Sequence, residues 1–140
     1  MNKELELTFR VESTNSGFAA SSVAPEGLAI LVTADSFSKL KKEIKEAIDF
    51  YAEGESDDQP LIKEIKEGNY TINYNISVKD FLFAFTPMVG KTGLAEMTGI
   101  SDTQFWRYQH SNITPRDKQK QKIKSALDEF GSDLQRISFV

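Results

Sequence analysis

The sequence predicts an α+β chain in which an N-terminal sheet with one covering helix precedes a small all-helical domain. Hydrophobic and polar residues alternate with a period of two near the N-terminus, which is typical of a half-buried strand. From Ser77 onwards the hydrophobic spacing changes to three and four, which is typical of helices. The chain has 140 residues, 39% of them hydrophobic, which suffices for two small packed domains. We therefore expect domains at residues 1–75 and 76–140.

Three strands are predicted at the start of the chain. Residues 4–13 alternate so that one face is apolar and the other is polar. The segment 15–17 is a turn signal, and residues 18–23 can return as the second strand. Another turn at 25–27 leads into the apolar run 28–32, which suits a central strand. Together these strands form an antiparallel meander.

A helix is predicted after the meander, over residues 37–52. Its hydrophobic residues recur at spacings of three and four, Asp35 or Ser36 can cap its start, and Gly54 ends it. Beyond a polar loop, hydrophobic residues alternate on both sides of Gly68-Asn69, which predicts a fourth strand or a hairpin. The first domain is thus expected to be a βββαβ sheet with one helix.

Helices are predicted throughout most of the second domain. The first follows Ser77 and stops before Thr86-Pro87, and the second ends at Gly99. Ser101 and Gln104 form a capping box for the third helix.

The last helix has a strong start signal, with Thr114 as N-cap and Pro115 at the first helical position. Gly131 is expected to end this helix. The alternating residues at about 134–140 then predict a closing strand, which can be added to the first sheet.

The segment Leu94–Ser111 has the residue pattern of a helix-turn-helix. Ala95 is small enough for two helices to cross closely, Gly99 supplies the positive φ that the turn needs, and Ile100 fills the space between the helices. Helices before and after this pair complete the arrangement of a repressor-type DNA-binding domain.

Phe105 and Tyr108 are expected to hold the second helix of the pair on the domain core, which leaves its other side free to enter a major groove. Arg107 is the strongest candidate for a contact with a base edge, because a guanidinium group can pair bidentately with guanine. The candidates for base contacts are Asp102, Thr103, Trp106 and Arg107. The candidates for phosphate contacts are Lys91, Thr92, His110, Arg116 and Lys118. For Trp106, a buried position or a dimer interface is an alternative to the groove.

Charge is distributed unevenly along the chain. Residues 1–86 carry 9 basic and 15 acidic side chains, whereas residues 105–124 carry 6 basic side chains and 1 acidic one. An acidic half joined to a locally basic half indicates two partners of opposite charge, although a solvated helix face is the simpler explanation of the basic run. Duplex DNA suits the basic segment, and a homodimer or higher homo-oligomer suits recognition of paired half-sites.

Several classes of protein are disfavoured by composition. The absence of cysteine excludes disulfide scaffolds, zinc fingers and thiol nucleophiles, and a single histidine, His110, excludes a His-rich metal site. Apolar runs do not exceed five residues, and the N-terminus, MNKELELTF, contains no apolar segment. We therefore expect a soluble cytoplasmic protein without a membrane span, a secretory signal, a cofactor or a metal.

The chain resembles the HicB family of antitoxins, in particular members with a C-terminal repressor-like domain. The resemblance covers nearly the whole chain, and the residues that carry it lie at 17–18, 25–27, 33–37, 94–101 and 112–116. It implies a truncated RNase H-like first domain without nuclease activity, which binds and masks a small HicA-like toxin that cleaves mRNA. It also implies that the second domain binds operator DNA and represses the operon encoding both proteins.

Other functions are disfavoured by the placement of the residues that they need. A nuclease requires carboxylates that converge on divalent ions, whereas Glu4, Glu6, Glu43 and Glu46 occupy outward faces that are typical of solvated acids. His110 lies at the far end of the predicted DNA-reading helix, which is a poor position for a general base. We expect no enzymatic activity. A stand-alone transcriptional regulator, whose first domain oligomerises or senses a ligand, is the alternative to an antitoxin.

Overall fold

The computed structural model describes residues 4–140, which form two compact units, one extending to Ser77 and one from Val78 to Val140. In this part of the chain the fold is α+β, with one mixed sheet of four strands and six helices. The α+β class predicted from the sequence is confirmed. None of the helices within residues 4–140 is both long and apolar enough to cross a membrane.

The sheet has the order β3-β2-β1-β4. Strands β1 (Leu5–Thr14), β2 (Gly17–Ala24) and β3 (Leu31–Ala34) form the predicted antiparallel meander. Strand β4 (Tyr70–Ile76) lies on the other side of β1 and runs parallel to it. The parallel pairing follows from the long helical connection that leads back to the same end of the sheet.

Helix α1 (Phe37–Glu53) covers one face of the sheet and confirms the predicted helix. It begins after Ser36, whose hydroxyl accepts a hydrogen bond from the Lys39 N–H at 3.2 Å. Hydrophobic side chains from both elements are buried between them, each contributing about 1.5–3 kcal/mol by leaving water. They include Leu7, Phe9 and Val11 of β1 and Leu40, Ile44 and Ile48 of α1.

Of the two alternatives predicted around Gly68-Asn69, the fourth strand is confirmed by β4, and the hairpin is wrong because residues 60–66 form a helix instead. Helix α2 (Pro60–Lys66) starts with proline, whose fixed φ suits a first helical turn. Ile62 and Ile65 are three residues apart and are both buried on the side that faces α1. The first unit is therefore βββααβ rather than βββαβ.

The second unit contains four helices, α3 (Val78–Val89), α4 (Lys91–Thr98), α5 (Asp102–His110) and α6 (Asp117–Gln135). They enclose one buried hydrophobic cluster to which every helix contributes. Its members are Leu82, Leu94, Ile100, Phe105, Tyr108 and Ile123.

Three predicted helix ends in this unit are wrong. Helix α3 continues through Pro87 to Val89, although Pro87 has no N–H and so removes one hydrogen bond from the helix. Helix α6 begins at Asp117, two residues after Pro115, because Arg116 has an extended backbone and acts as its N-cap. It also continues through Gly131, although glycine within a helix is about 1 kcal/mol less favourable than alanine.

The predicted closing strand at about 134–140 is also wrong. Leu134 and Gln135 complete α6, and residues 137–140 have no regular secondary structure. Alternation over so few residues does not distinguish a strand from an extended tail. The large side chains of this tail, including Ile137 and Phe139, are exposed.

Candidate nucleic-acid interface

A tight turn joins α4 to α5. Gly99 ends α4 with a left-handed backbone (φ 73°), and its N–H donates to the Ala95 carbonyl at 2.8 Å. A residue with a β-carbon is strained in this conformation, so glycine is the residue that the turn favours. The predicted role of Gly99 is confirmed.

Thr98 fixes the turn from inside, a role that the sequence analysis missed. Its hydroxyl donates to the Leu94 carbonyl at 2.6 Å and accepts from the Ile100 N–H at 3.1 Å. Both Thr98 and Ile100 are buried. The signal available in the sequence is a threonine directly before a helix-ending glycine, where its hydroxyl can bond to backbone groups on both sides.

Helix α5 is capped at its start and anchored along one side. The Ser101 hydroxyl accepts from the Gln104 N–H at 3.1 Å, as the sequence predicts. Phe105 and Tyr108 are both buried in the hydrophobic cluster, which confirms that they hold α5 on the core. Gln109 is also buried, although the sequence analysis did not single it out.

The other side of α5 is exposed to solvent. The four residues predicted to contact bases, Asp102, Thr103, Trp106 and Arg107, are all exposed. Trp106 is 53% exposed, so a buried position for this side chain is excluded within the chain itself. A cap, two buried aromatic anchors and an exposed polar side make α5 a rigid support for surface contacts.

Three aromatic rings meet at the C-terminal end of α5. The rings of Trp106 and His110 lie 5.1 Å apart between centroids, and the ring of Phe83 from α3 packs edge-on against His110 at 5.8 Å. We call Phe83, Trp106 and His110 the aromatic cluster. All three side chains are exposed, and the position of Phe83 depends on how α3 packs against α5, which the sequence pattern does not determine.

The residues predicted to contact phosphates occupy the starts of two helices and the end of a third. Lys91 is half-buried at the first position of α4, and Thr92 follows it with an exposed side chain. Arg116 and Lys118 are exposed at the start of α6. His110 is exposed but already packs within the aromatic cluster.

The first half of α6 presents lysines that no acid neutralises. Among residues 4–140, no carboxylate lies within 4.0 Å of the ammonium groups of Lys118, Lys120 or Lys122, whereas Lys124 pairs with Asp128. The Lys122 ammonium nitrogen lies 3.6 Å from the position that a β-carbon would take on Gly99. One of these lysines therefore lies beside the turn between α4 and α5.

The carboxylates considered for a nuclease are not brought together. Glu6 is on the open face of the sheet, whereas Glu43 and Glu46 are on α1, which covers the opposite face. Glu4, just before β1, is likewise exposed. No group of three or more histidine, aspartate or glutamate side chains within residues 4–140 is arranged to hold a metal ion.

Burial perturbs one titratable group in the N-terminal unit. Partial burial of Tyr74 on β4 raises the pKa of its hydroxyl above the usual value for tyrosine. Its ring packs edge-on against Phe37 of α1 at 5.5 Å between centroids.

We compared the chain with models of protein families, with curated proteins and with solved structures, and none of the three comparisons found a match.

Proposed function

We propose that the unit from Val78 to Val140 is a repressor-type helix-turn-helix domain that binds duplex DNA sequence-specifically through α5. One observation carries this proposal: α5 exposes Thr103, Trp106 and Arg107 on a helix that Phe105 and Tyr108 anchor to the core. A rigid helix with one exposed polar side is what insertion into a major groove requires.

The exposed residues of α5 differ in the contacts that they can make with bases. Arg107 can donate two hydrogen bonds to a guanine, and Thr103 can contact a thymine methyl group or a phosphate. Asp102 repels phosphate, so it accepts from a cytosine amino group or stabilises the positive N-terminus of α5. Trp106 contacts the groove beside them.

Contacts with the DNA backbone come from residues on both sides of α5. Lys91 and Thr92 at the start of α4 contact phosphates on one side of α5, while Arg116, Lys118 and His110 contact phosphates on the other side. The unpaired lysines of α6 support this assignment, because an ammonium group without a neighbouring carboxylate can neutralise a phosphate and release a counterion.

We also propose that the chain forms homodimers or higher homo-oligomers, since repressor-type domains bind as dimers to two DNA half-sites about 34–36 Å apart. The apolar residues at the C-terminal end support it. Leu134, Ile137 and Phe139 are exposed in the single chain, and Leu134 and Ile137 line a cavity of about 560 Å³ between α4 and α6.

For the N-terminal unit we propose a protein partner. The resemblance to HicB antitoxins implies a truncated RNase H-like domain that masks a HicA-like ribonuclease toxin, without catalysis of its own. Its acidic character supports a basic partner, because residues 1–77 carry 14 acidic and 8 basic side chains. The whole chain is then a cytoplasmic antitoxin of a type II pair that also represses its own operon.

Two assays of the full chain test the proposal. Fluorescence anisotropy with the DNA upstream of its own gene, against a scrambled duplex, is expected to give tighter binding to the upstream DNA at the same salt concentration. Co-expression with the small protein encoded beside it is expected to relieve growth inhibition by that protein. Equal binding to both duplexes overturns the proposal of sequence-specific DNA binding. Specific DNA binding without neutralisation identifies a stand-alone regulator instead of an antitoxin.

A further inference from the structure

Strand β3 forms an open edge of the sheet. The Ser22 N–H donates to the Ile30 carbonyl at 2.9 Å, and the Ile30 N–H donates to the Ser22 hydroxyl at 2.9 Å, so both backbone groups of Ile30 point towards β2 as in a hydrogen-bonded pair. Such pairs alternate along an antiparallel ladder, and Leu31 and Thr33 are therefore the residues whose backbone groups point away from β2. Within residues 4–140 no further strand lies along that side.

Apart from its short length of four residues, this edge lacks the devices that usually protect an exposed strand. The segment Leu28–Ala34 contains neither a charged residue nor a proline, and it is rich in β-branched and other apolar side chains. Natural proteins normally place charges, prolines or bulges on such edges to prevent pairing with other chains. An edge of this composition is suited to accept another strand.

An apolar groove lies beside the edge. Leu31 is 73% exposed and Phe50 on α1 is 79% exposed, and both line a cavity of about 640 Å³ together with Ala47 and Tyr51. The Tyr51 hydroxyl donates to the Gly27 carbonyl at 2.9 Å, which ties the end of α1 to the loop before β3. The groove therefore has fixed walls and an exposed aromatic side chain at its rim.

The surroundings of the groove are strongly acidic. Residues 46–58 contain six acidic side chains and no basic one. Glu53 lines the groove itself, and Asp49 lies with Glu53 on an adjoining cavity. A second copy of the chain would place like charges against each other here, whereas a cationic segment would be attracted.

We propose that a basic partner protein adds an extended segment to β3 as a fifth strand of the sheet. The segment pairs with the backbone groups of Leu31 and Thr33, inserts an apolar side chain beside Phe50, and places lysine or arginine against Asp49 and Glu53. Main-chain pairing supplies affinity in this mode of recognition, and the side-chain pockets supply specificity. The inference rests on the proposed function, since it assigns the surface that holds the partner.

A pair of synthetic peptides tests this mode directly. One is an extended peptide that alternates lysine with valine and leucine, and the other carries glutamate in place of every lysine. By fluorescence anisotropy the full chain is expected to bind the lysine peptide at least about tenfold more tightly. The amide hydrogens of Leu31 and Thr33 are expected to become protected from exchange. Absent binding of the lysine peptide, or equal binding of both peptides, overturns the proposal.

Variants at exposed positions locate the binding surface. Phe50→Ser and Leu31→Thr are each expected to weaken binding of the lysine peptide by about tenfold. Glu53→Lys should weaken it without removing any apolar contact. Val23→Thr on β2, which also replaces an exposed apolar side chain, is the matched control and should bind like the wild type. If Phe50→Ser and Leu31→Thr both bind normally, the surface is elsewhere.

The same variants separate this inference from the proposed function. The protein encoded by the neighbouring gene is expected to bind the wild-type chain and to lose binding to Phe50→Ser, while binding of promoter DNA stays unchanged. If that protein binds the wild type and both apolar variants equally, the surface is wrong and the antitoxin function stands. If it does not bind the wild type, the antitoxin function fails, and the peptide assay alone decides the strand-addition mode.

Discussion

The carbonyl oxygen of Ala34 lies inside the space that a β-carbon on Gly17 would occupy. The backbone of Asp35 closes the same space, so the start of β2 and the end of β3 approach each other more closely than any other residue type allows. We expect Gly17→Ala to lower the free energy of unfolding of the N-terminal unit by about 1–3 kcal/mol, measured by hydrogen exchange in β1 and β2. Gly54→Ala has open space around it and should cost less than about 0.5 kcal/mol.

Replacing either of two glycines by alanine is expected to change the free energy of unfolding of the C-terminal unit, but in opposite directions. Gly99→Ala forces a β-carbon into the left-handed region and should destabilise the unit by about 1–2 kcal/mol. Gly131 lies within α6, and a β-carbon added to it would meet no atom of another element within 4 Å. Gly131→Ala should therefore stabilise the C-terminal unit by up to about 1 kcal/mol. Trp106 is the single tryptophan, so its fluorescence during urea unfolding reports on this unit. If both variants change the free energy of unfolding in the same direction, the different backbone conformations of Gly99 and Gly131 do not determine these effects.

Arg107 and Lys118 are expected to affect DNA binding differently. Arg107→Ala should weaken binding to the operator by about 1–3 kcal/mol and change binding to random duplex little, because the contact proposed for Arg107 is to a base. Lys118→Ala should weaken both about equally and reduce the slope of affinity against salt by about one unit. Lys63→Ala, an exposed lysine on α2, is the control. Equal losses on both duplexes for Arg107→Ala would reject its role in sequence recognition.

Stability is expected to fall in the alkaline range, partly because of Tyr74. Burial raises the pKa of its hydroxyl in the folded state, so the unfolded chain releases this proton at a lower pH than the folded chain. The folded state then binds more protons, and its stability decreases as the pH rises from the unfolded pKa through the folded one. Tyr74→Phe should reduce the slope of unfolding free energy in this range. An unchanged slope in Tyr74→Phe would contradict the effect.

The elements that the sequence predicted correctly are those whose local signals agree. The period-two alternation of β1 coincides with its buried face, and the turn at Gly99 coincides with a glycine at positive φ. Ser101 and Phe105 were predictable because an N-cap and a buried anchor follow from spacing within one helix. In these segments short-range sequence preferences and long-range packing favour the same structure.

The errors arise where two patterns fit the same residues or where packing alone decides. The spacing of Ile62 and Ile65 fits either a strand or a short helix, and contact with α1 selects the helix. Glycine is a common signal for the end of a helix, yet the residues that flank Gly131 favour the helix strongly enough for α6 to continue through it. The contact of Phe83 with His110 joins two helices, so no pattern within either helix could predict it.

The uncharged edge strand β3 also bears on how the chain would behave if the proposed partner were scarce. Unpaired apolar strands of this kind nucleate intermolecular sheets, and their tendency to do so rises with concentration. Where salt screens the acidic surroundings of the groove, chain without the proposed partner would thus be prone to precipitation and degradation, whereas the bound chain would be shielded. Balanced production of the two proteins would then be a condition for solubility as well as for control of the partner's activity.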